Sequence, residues 1–509
     1  MKNKKTNYLK MLTSRFSGPR SALLLRVSSS RQTNASKQDE APSGLSLNMR
    51  AISDSGMFDK DYYLKKYKDV RIAGVDPLQH FTDYGGREYR NPSEYFDSAF
   101  YAYKNDLYKN KNTHLLLDYI EKNKNNILDK EKYSMSEAKK HQSQIEKEIV
   151  TAASKFSNAI VVESMSWQGS LQQRPHHIAR LLSERGVMVV YLDCSAALVE
   201  KVGENIYVVN NQKFLKKFSK AKVAKKYFWL FSTTPVKNTK LNKLKLDGYE
   251  VIYDYIDDFD EAISLDISIQ LESYKNLESI NPLILIASAD RLHSQLEKRF
   301  PKRKILLCQN AVDQTHFDYG QAEREDETPA DMINVVSAGK PIVGYYGAIA
   351  PWLDYAMLNK LTKKRQDLEF VFIGIDYNGG LKHLELRENV RFLGAKDYHN
   401  LAKYSHLFDC AIIPFKKGDI AKSTSPVKLF EYMAMALPTV CTRDLYECRG
   451  YDYVYMSKTD ADFEKNIDIA IREKKNEAAR KKLIEQASEN TWAARVDTIV
   501  NELKAQKKE

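Results

Sequence analysis

The sequence has few cysteines, and their positions do not suggest disulfides or a zinc site. There are five in 509 residues, and none belongs to a CxxC pair or to a Cys/His spacing typical of zinc. Most lie inside apolar stretches, which is typical of buried thiols in a reducing compartment. The five are Cys194, Cys308, Cys410, Cys441 and Cys448.

Long apolar runs are also absent. The stretch "SALLLRV" is far too short for a secretory signal, and no run approaches the length of a membrane span. Ser-His-Asp and P-loop signatures are missing as well. We therefore expect a cytoplasmic protein.

Positive charge is concentrated at the N-terminus. The formal net charge is +12, and residues 1–50 hold ten Lys/Arg and two acidic residues, a local excess of 10 − 2 = +8. A basic tail argues against a nucleic-acid enzyme, in which the basic residues should line a folded groove. Residues 1–56 are predicted to be disordered and to tether the protein peripherally to the inner, anionic face of the membrane. "YLKMLTSRF" within them fits a basic amphipathic helix, although a plain disordered leader explains it equally well.

Aromatic residues define a second segment. "FDKDYY" from Phe58 recurs as "FDSAFY" from Phe96, and the stretch between them is rich in turn residues. Residues 57–110 are predicted to form a small helical module packed by Tyr and Phe. A Lys-, Asn- and Glu-rich helical linker is predicted for 111–156.

Buried strands alternate with helices from Asn158 onward, and the alternation starts again at "PIVGYYGAI". This pattern predicts an α/β protein with two doubly wound, Rossmann-like sheets, at 157–333 and 334–485, and a final helix at 486–509. Two such domains imply a cleft that faces the carboxyl ends of the strands, where ligands of these sheets bind.

The stretch "SPVKLFEYMAMALPTV" at 425–440 reads as a well-defined helix start. Ser425 is predicted to cap the helix and Pro426 to occupy its first position. The orphan N–H groups and Lys428 favour an anion, and Glu431 lies one turn further along, where it can accept hydrogen bonds from sugar hydroxyls. An anion beside a diol describes a nucleotide, whereas a capped surface helix with a Lys–Glu pair is the alternative.

Residues 157–509 resemble the group 1 sugar-nucleotide glycosyltransferases of GT-B fold. Besides 425–440, the resemblance rests on "QNAVDQTHF" near the interdomain linker, "SWQGSLQQRPHHIA" after the first strand and "NTWAARVDTIVNEL" at the end. "FDKDYYLKKYKDVRIAGVDPLQHFTDYGGREYRNPS" resembles a module attached to bacterial polysaccharide glycosyltransferases. The resemblance implies that the second sheet binds a nucleoside diphosphate sugar and that the first presents the acceptor.

The resemblance implies several roles and two departures. Glu431 matches the second, ribose-binding glutamate of the family's Glu-x7-Glu motif. Ser423 occupies the position of that motif's first glutamate. The Arg and Lys with which the family binds phosphate, after the first strand of the second sheet, are also missing. The hydroxyls of Ser423 and Thr424, the N–H groups of Thr424 and Ser425, and Lys428 are expected to replace them. Trp167 lies in the acceptor-side loop. The donor-binding candidates are Gly347, Ser423, Thr424, Ser425, Lys428 and Glu431.

Other candidate residues have structural alternatives. Gly347 would let the backbone approach phosphate, or marks a tight turn. His176 and His177 are predicted either to contact the donor phosphate or the acceptor, or to take part in ordinary helix packing. Arg174 is predicted to contact an anion. Asp257 and Asp258, in "YDYIDDFDE", fit an acceptor-activating base or a metal site, or simple helix capping. His176, His177, Asp257 and Asp258 are the candidate catalytic residues.

Together these features predict a metal-independent glycosyltransferase that adds a sugar to a growing bacterial surface glycan. The nucleoside diphosphate sugar is its co-substrate, with no other cofactor and no nucleic acid as partner, and the acceptor is a glycan or a lipid-linked glycan. The alternatives are a non-catalytic glycan-binding or scaffold protein on the same fold and a sugar-nucleotide epimerase.

Overall fold

The computed structural model describes residues 46–107, 113–124, 126, 128–169, 172–263, 267–325 and 327–506. They form two compact units. The N-terminal unit comprises the described residues up to 151 together with 194–200 and 208–210, and the two-sheet unit comprises the rest. Within these ranges no helix combines the length and apolar character needed to cross a membrane.

The N-terminal unit is helical, and its two Phe-Asp repeats start helices in the same way. Asp59 and Asp97 each cap a helix by accepting a hydrogen bond from the backbone N–H three residues ahead, at 2.9 and 3.0 Å. The preceding Phe58 and Phe96 each pack against a tyrosine of the helix that follows. The helices are α1 (Leu47–Asp54), α2 (Lys60–Lys66), α3 (Lys68–Ala73), α4 (Pro77–His80), α5 (Ser98–Lys104), α6 (Leu115–Lys122) and α7 (Met135–Ala152), with a π-turn at Phe81–Gly85.

One aromatic core holds this unit together and corrects two expected boundaries. Ile52 of α1 and Leu116 of α6 are fully buried in the same cluster as Tyr63 and Phe81. Leu47–Asp54 is therefore a helix of this unit rather than part of a disordered tail, and much of the expected linker 111–156 packs in the same cluster. Residues 1–45 lie outside the described part of the chain.

The first sheet of the two-sheet unit has eight strands in the order β3-β4-β2-β1-β5-β6-β7-β8, and the pairings from β2 to β8 are parallel. Its strands are β1 (Asn158–Glu163), β2 (Met188–Leu192), β3 (Glu200–Lys201), β4 (Ile206–Val209), β5 (Lys225–Phe231), β6 (Tyr249–Tyr255), β7 (Ile284–Ala287) and β8 (Ile305–Leu307). Its helices are α8 (Arg174–Glu184), α9 (Phe214–Phe218), α10 (Asn238–Leu246), α11 (Ile267–Lys275), α12 (Leu277–Ile280) and α13 (Asp290–Arg299).

The second sheet has six parallel strands in the order β11-β10-β9-β12-β13-β14. The strands are β9 (Ile342–Tyr346), β10 (Glu369–Ile373), β11 (Val390–Phe392), β12 (Cys410–Ile413), β13 (Thr439–Thr442) and β14 (Val454–Ser457). The helices before and within it are α14 (Tyr319–Glu325), α15 (Ile333–Ser337), α16 (Tyr355–Lys364), α17 (Leu401–His406), α18 (Asp419–Ser423) and α19 (Val427–Ala434). Helices α20 (Asp460–Glu473), α21 (Glu477–Glu489) and α22 (Trp492–Ala505) complete the chain. The predicted α/β class with two sheets is confirmed.

The strand order places the binding crevice of the second sheet. Chain direction across the sheet reverses between β9 and β12, and ligands of doubly wound sheets bind beyond the carboxyl ends of the strands at such a point. Gly347 follows β9, and the segment 414–425 follows β12 and leads into α19. The crevice is therefore built from the segments that the sequence singles out.

Two chain segments join the sheets and lie side by side. The backbone N–H of Val312 donates to the carbonyl of Asn490, and that of Trp492 donates to the carbonyl of Val312, both at 3.0 Å. Helix α22 then packs on α8, where Arg185 pairs with Asp497 at 2.5 Å. The last helix thus returns to the first sheet.

Candidate functional site

The start of α19 is not capped by Ser425, although the sequence predicts it to be. The helix begins at Val427, and Pro426 occupies the N-cap position without a side-chain capping hydrogen bond. Ser425 does not cap it, because its hydroxyl accepts from the N–H of Asn310 at 3.1 Å and its carbonyl accepts from the Asn310 amide at 2.6 Å. Ser425 therefore binds the linker between the sheets, while the first N–H groups of α19 keep no side-chain acceptor.

Lys428 lies in the first turn of α19, half-buried among aromatic rings. Its ammonium is 5.3 Å from the ring centre of Tyr345 and 5.4 Å from that of Phe415. Burial lowers the pKa of Lys428 to about 8, although the Glu431 carboxyl opposes the change. Among the described residues no carboxylate lies within ion-pair distance of this ammonium, so the crevice holds a desolvated positive charge without a counterion.

The backbone conformation at residue 347 requires glycine, and this glycine lies against Lys428. The φ of +135° at Gly347 is rarely adopted by other residues, and a Cβ here would lie 2.8 Å from the Lys428 Cε. A Cβ on Gly374, in turn, would lie 1.8 Å from the Gly347 carbonyl oxygen. Gly347 therefore brings the end of β9 into close contact with Lys428, which leaves open its predicted contact with phosphate.

Glu431 is buried one turn further along α19, with 4% of its surface exposed. Burial raises the pKa of its carboxyl to about 7, the Tyr346 hydroxyl and the Lys428 ammonium oppose the rise, and Asp313 adds to it. A carboxyl with this pKa is poised to change its charge near neutral pH. Its position beside the lysine follows from the i,i+3 spacing on one helix face.

Two buried polar atoms in this neighbourhood have no hydrogen-bond partner in the described structure. They are the Tyr398 hydroxyl and Nε2 of His177, whereas the Tyr346 hydroxyl interacts with the Glu431 carboxyl. The Glu431 carboxyl raises the pKa of both tyrosines further, after burial, and the His177 ring lies 5.8 Å from that of Tyr398. Buried polar groups in proteins are nearly always paired, so such a cluster indicates that a polar ligand or water completes it.

His177 and His176 differ in their availability. His177 stacks on Trp492 at 5.1 Å, and burial lowers its pKa to about 3, which keeps it neutral with Nε2 free. His176 uses both ring nitrogens inside the protein: one meets the Gln173 N–H at 3.1 Å and the other the Ser166 carbonyl at 3.0 Å. A direct catalytic role for His176 is therefore corrected to positioning of the loop that holds Trp167.

Trp167 lies in the loop after β1 and is half-exposed. Its backbone N–H donates to Asp193 at 2.9 Å, and its ring packs at 4.9 Å from that of Tyr191. The ring of His176 lies 5.7 Å from the same indole, and the predicted acceptor contact of Trp167 stays a proposal.

Arg174 is a structural residue, which corrects its predicted anion contact. Its guanidinium makes two hydrogen bonds to Asp254, at 2.9 and 3.0 Å, and another to the Cys308 carbonyl at 2.8 Å. Both side chains of this ion pair are almost fully buried. The pair secures the start of α8 to β6 and to the linker, where a fourth N–H donates to the Asn310 side-chain oxygen at 3.4 Å.

The two candidate aspartates also differ. The Asp258 carboxylate accepts from the Tyr255 hydroxyl at 3.1 Å and from the Gln295 amide at 3.4 Å, and its catalytic role stays a prediction. Asp257 makes no side-chain hydrogen bond with the described residues, and burial raises its pKa to about 7. Arg174 opposes this rise, and Asp258 adds to it. Asp257 alone of the pair has the properties of a general base.

Ser423 and Thr424 direct their hydroxyls to the backbone of α18. Ser423 donates to the Asp419 carbonyl at 2.7 Å, and Thr424 donates to the Ile420 carbonyl at 2.6 Å. Their oxygens keep lone pairs, but their protons are used within the helix. Donation of a hydrogen bond to a diphosphate would require these protons to leave the helix carbonyls, so the donor-binding role of the two hydroxyls stays a prediction.

Metal ligands are not assembled anywhere in the described ranges. No three His, Cys, Asp or Glu side chains there come together in a metal-binding arrangement. Metal-independent chemistry stays a prediction for experiment.

Sequence reasoning did not single out Tyr346, Tyr398, Asp313 or Asn310. Tyr346 lies within "PIVGYYGAI", and Asn310 and Asp313 lie within "QNAVDQTHF". The sequence therefore pointed to these segments but not to these side chains. Tyr398 follows β11 in a loop without any local motif.

The fold and this crevice define a two-sheet α/β protein of the GT-B class. The structure resembles that of sucrose-phosphate synthase from Thermosynechococcus elongatus, with a TM-score of 0.53 and 13% identity, covering 69% of this chain and 98% of the other. A trehalose 6-phosphate synthase from Burkholderia multivorans matches with a TM-score of 0.52 and 11% identity, over 69% of this chain and 99% of the other. At such low identity these likenesses establish the fold alone.

Sequence comparison gives a family match for part of the chain. Residues 340–466 match the family model described as glycosyl transferases group 1, and this segment contains all six strands of the second sheet. A Bacillus subtilis (strain 168) protein named as a teichuronic acid biosynthesis glycosyltransferase, TuaH, is 27% identical over 163 residues. That match covers 31% of this chain and 40% of TuaH.

Proposed function

We propose that the protein transfers a sugar from a nucleoside diphosphate sugar to a growing bacterial surface glycan. The observation that carries the proposal is the cluster formed by the Lys428 ammonium, which has no ion-pair partner among the described residues, the buried Glu431 carboxyl with the Tyr346 hydroxyl beside it, and the unpaired Tyr398 hydroxyl. The ammonium can pair with a diphosphate, and the carboxyl and hydroxyl groups can form hydrogen bonds with the diol of a ribose. The name of TuaH, which refers to teichuronic acid biosynthesis, supports a surface glycan as acceptor.

In this proposal the second sheet binds the donor. The N–H groups at the start of α19 and the Lys428 ammonium face the diphosphate and stabilise the negative charge that grows as the sugar leaves. Glu431 accepts hydrogen bonds from the ribose hydroxyls, and Tyr346 and Tyr398 complete their hydrogen bonding. Because Lys428 is desolvated, its charge acts more strongly there than on an exposed surface.

The first sheet presents the acceptor. Asp257 follows β6, and its pKa of about 7 suits a group that takes a proton from an acceptor hydroxyl. The Arg174–Asn310–Ser425 contacts connect the neighbourhood of Asp257 to the start of α19. Trp167, in the loop after β1, supplies an apolar face for a sugar ring.

Titration calorimetry tests the donor site. Nucleoside diphosphates are titrated against the wild type, Lys428→Met and the control Lys360→Met, an exposed lysine on α16 paired with Asp460 at 3.7 Å. We expect Lys428→Met to weaken diphosphate binding about 10–100-fold, to leave the nucleoside affinity within about twofold, and the control to change neither.

Two outcomes would count against the proposal. Equal losses for nucleoside and diphosphate would remove Lys428 from the phosphate site. No binding of any nucleoside diphosphate to the wild type would favour a glycan-binding scaffold, in which the missing first glutamate and phosphate-binding arginine reflect lost catalysis.

A further inference from the structure

A lysine-rich stretch in the first sheet has no role in the donor site. Between Glu204 and Asp247 the chain contains eleven lysines and no Asp, Glu or Arg. The local charge of +11 nearly equals the +12 of the entire chain. This concentration of positive charge therefore lies within a folded domain, not only in the N-terminal tail.

The fold brings two parts of this stretch together. The Tyr249 hydroxyl at the start of β6 donates to the Leu215 carbonyl of α9 at 3.0 Å. The Lys226 ammonium of β5 donates to the Ser219 carbonyl, just after α9, at 2.7 Å, and Lys226 is the strand partner of Tyr249. The end of α9 and the end of α10, which leads into β6, therefore lie near the amino-terminal ends of the neighbouring strands β5 and β6.

Most of the lysines here are exposed and have no acidic partner. Of those in the described structure, six make no side-chain hydrogen bond or ion pair: Lys213, Lys216, Lys220, Lys222, Lys237 and Lys243. The acidic residues Asp247 and Glu250 follow shortly after α10 in the chain. Leu246, at the end of α10, is 89% exposed beside them. We call the surface made by Lys216, Lys220, Lys222, Lys243 and Leu246 the lysine face.

We propose that the lysine face docks on an anionic lipid bilayer. Exposed lysines around a protruding leucine match a negatively charged headgroup layer over an apolar interior. A nucleic-acid site is disfavoured because such sites use arginine forks and exposed aromatic rings, and this stretch contains no arginine. The proposal does not depend on the identity of the sugar donor.

Vesicle sedimentation with the full chain tests the proposal. The probes are vesicles of equal parts phosphatidylglycerol and phosphatidylcholine, and vesicles of phosphatidylcholine alone. The test variant carries K216Q, K220Q, K222Q and K243Q. The control carries K382Q, K458Q, K465Q and K475Q, four exposed lysines of the second sheet's domain. Both lose the same net charge and keep residues 1–45.

We expect the wild type to bind the anionic vesicles and to lose affinity as salt rises. The test variant should bind at least about tenfold more weakly, and the control should stay within about twofold of wild type. Leu246→Ser should weaken binding about fivefold at raised salt, whereas Leu386→Ser, at a leucine that is 59% exposed, should have no effect. Circular dichroism and nucleotide affinity should be unchanged in all variants.

Three results would overturn the proposal. Equal losses in the two quadruple variants would mean that net charge rather than this face drives binding. Unchanged binding in the test variant would exclude the face. Tighter binding to RNA or DNA than to vesicles, lost with the same four lysines, would make it a nucleic-acid site instead.

Discussion

Replacing Glu431 with glutamine should stabilise the empty protein while removing donor affinity. Burial raises the pKa of this carboxyl from 4.5 to about 7, so the folded state holds its proton more tightly than the unfolded chain does. Stability associated with this group is therefore fully present below about pH 4.5 and falls as pH rises toward 7. At 1.36 kcal/mol per pKa unit, the ionised carboxylate costs about 3 kcal/mol at pH 8.

The Glu431→Gln variant avoids that cost, which already includes the attraction between the carboxylate and Lys428. We expect a net gain of about 3 kcal/mol at pH 8, which is a rise in Tm of roughly 4 °C for a unit of about 350 residues. At pH 4.5, where Glu431 is protonated, wild type and variant should melt together. Calorimetric melts at the two pH values, with donor titrations on the same samples, measure both effects.

Glu447→Gln provides the matched control. Glu447 is also buried, but its carboxylate accepts from the Asp290 N–H at 2.7 Å and from the Gln309 amide at 2.6 Å. Burial raises the pKa of Glu447 as well, but these two hydrogen bonds oppose the rise, and an amide cannot satisfy both donors, so its replacement should raise Tm less at pH 8 than Glu431→Gln does. A lower Tm for Glu431→Gln at pH 8, or an unchanged affinity for nucleoside diphosphates, would refute the reasoning about this site.

Three further predictions follow from the site. Arg174→Leu should destabilise the protein by about 3–5 kcal/mol because Asp254 is left buried and unpaired, and recovery in the Arg174→Leu/Asp254→Leu double variant, measured by urea unfolding, would confirm the cause. Asp257→Asn should reduce the transfer rate about 100-fold or more with little change in donor affinity, and it should abolish the rise in rate through pH 7; an unaltered pH profile would exclude Asp257 as the base. Transfer should continue in excess EDTA, and activity that is lost on chelation and restored by magnesium or manganese would contradict the metal-free prediction.

Local patterns predicted the features whose partners are near in sequence. The alternation of apolar strands and helices specified both sheets, since each strand carries its own hydrophobic run. Lys428 and Glu431 were identified because one helix presents them a single turn apart. The Asp59 and Asp97 caps could be found in the same way, because each cap involves only residues within its own turn.

Contacts between distant segments could not be predicted. Ser425 fits a helix cap by sequence, but Asn310, more than a hundred residues earlier, binds its hydroxyl. Arg174 fits an anion contact until Asp254 of another strand neutralises it. Tyr398 carries no pattern at all, and its place beside Glu431 depends on how the loop after β11 folds back.

The most direct test of the central claim is release of nucleoside diphosphate when acceptor is added. A glycan acceptor preparation from the producing cell is mixed with the protein and a panel of nucleoside diphosphate sugars, and the freed diphosphate is measured. We predict release with at least one sugar nucleotide only when acceptor is present, and at least tenfold slower release with Lys428→Met. Tight binding of a sugar nucleotide without acceptor-dependent release from any member of the panel would contradict the account and identify the protein as a binding scaffold.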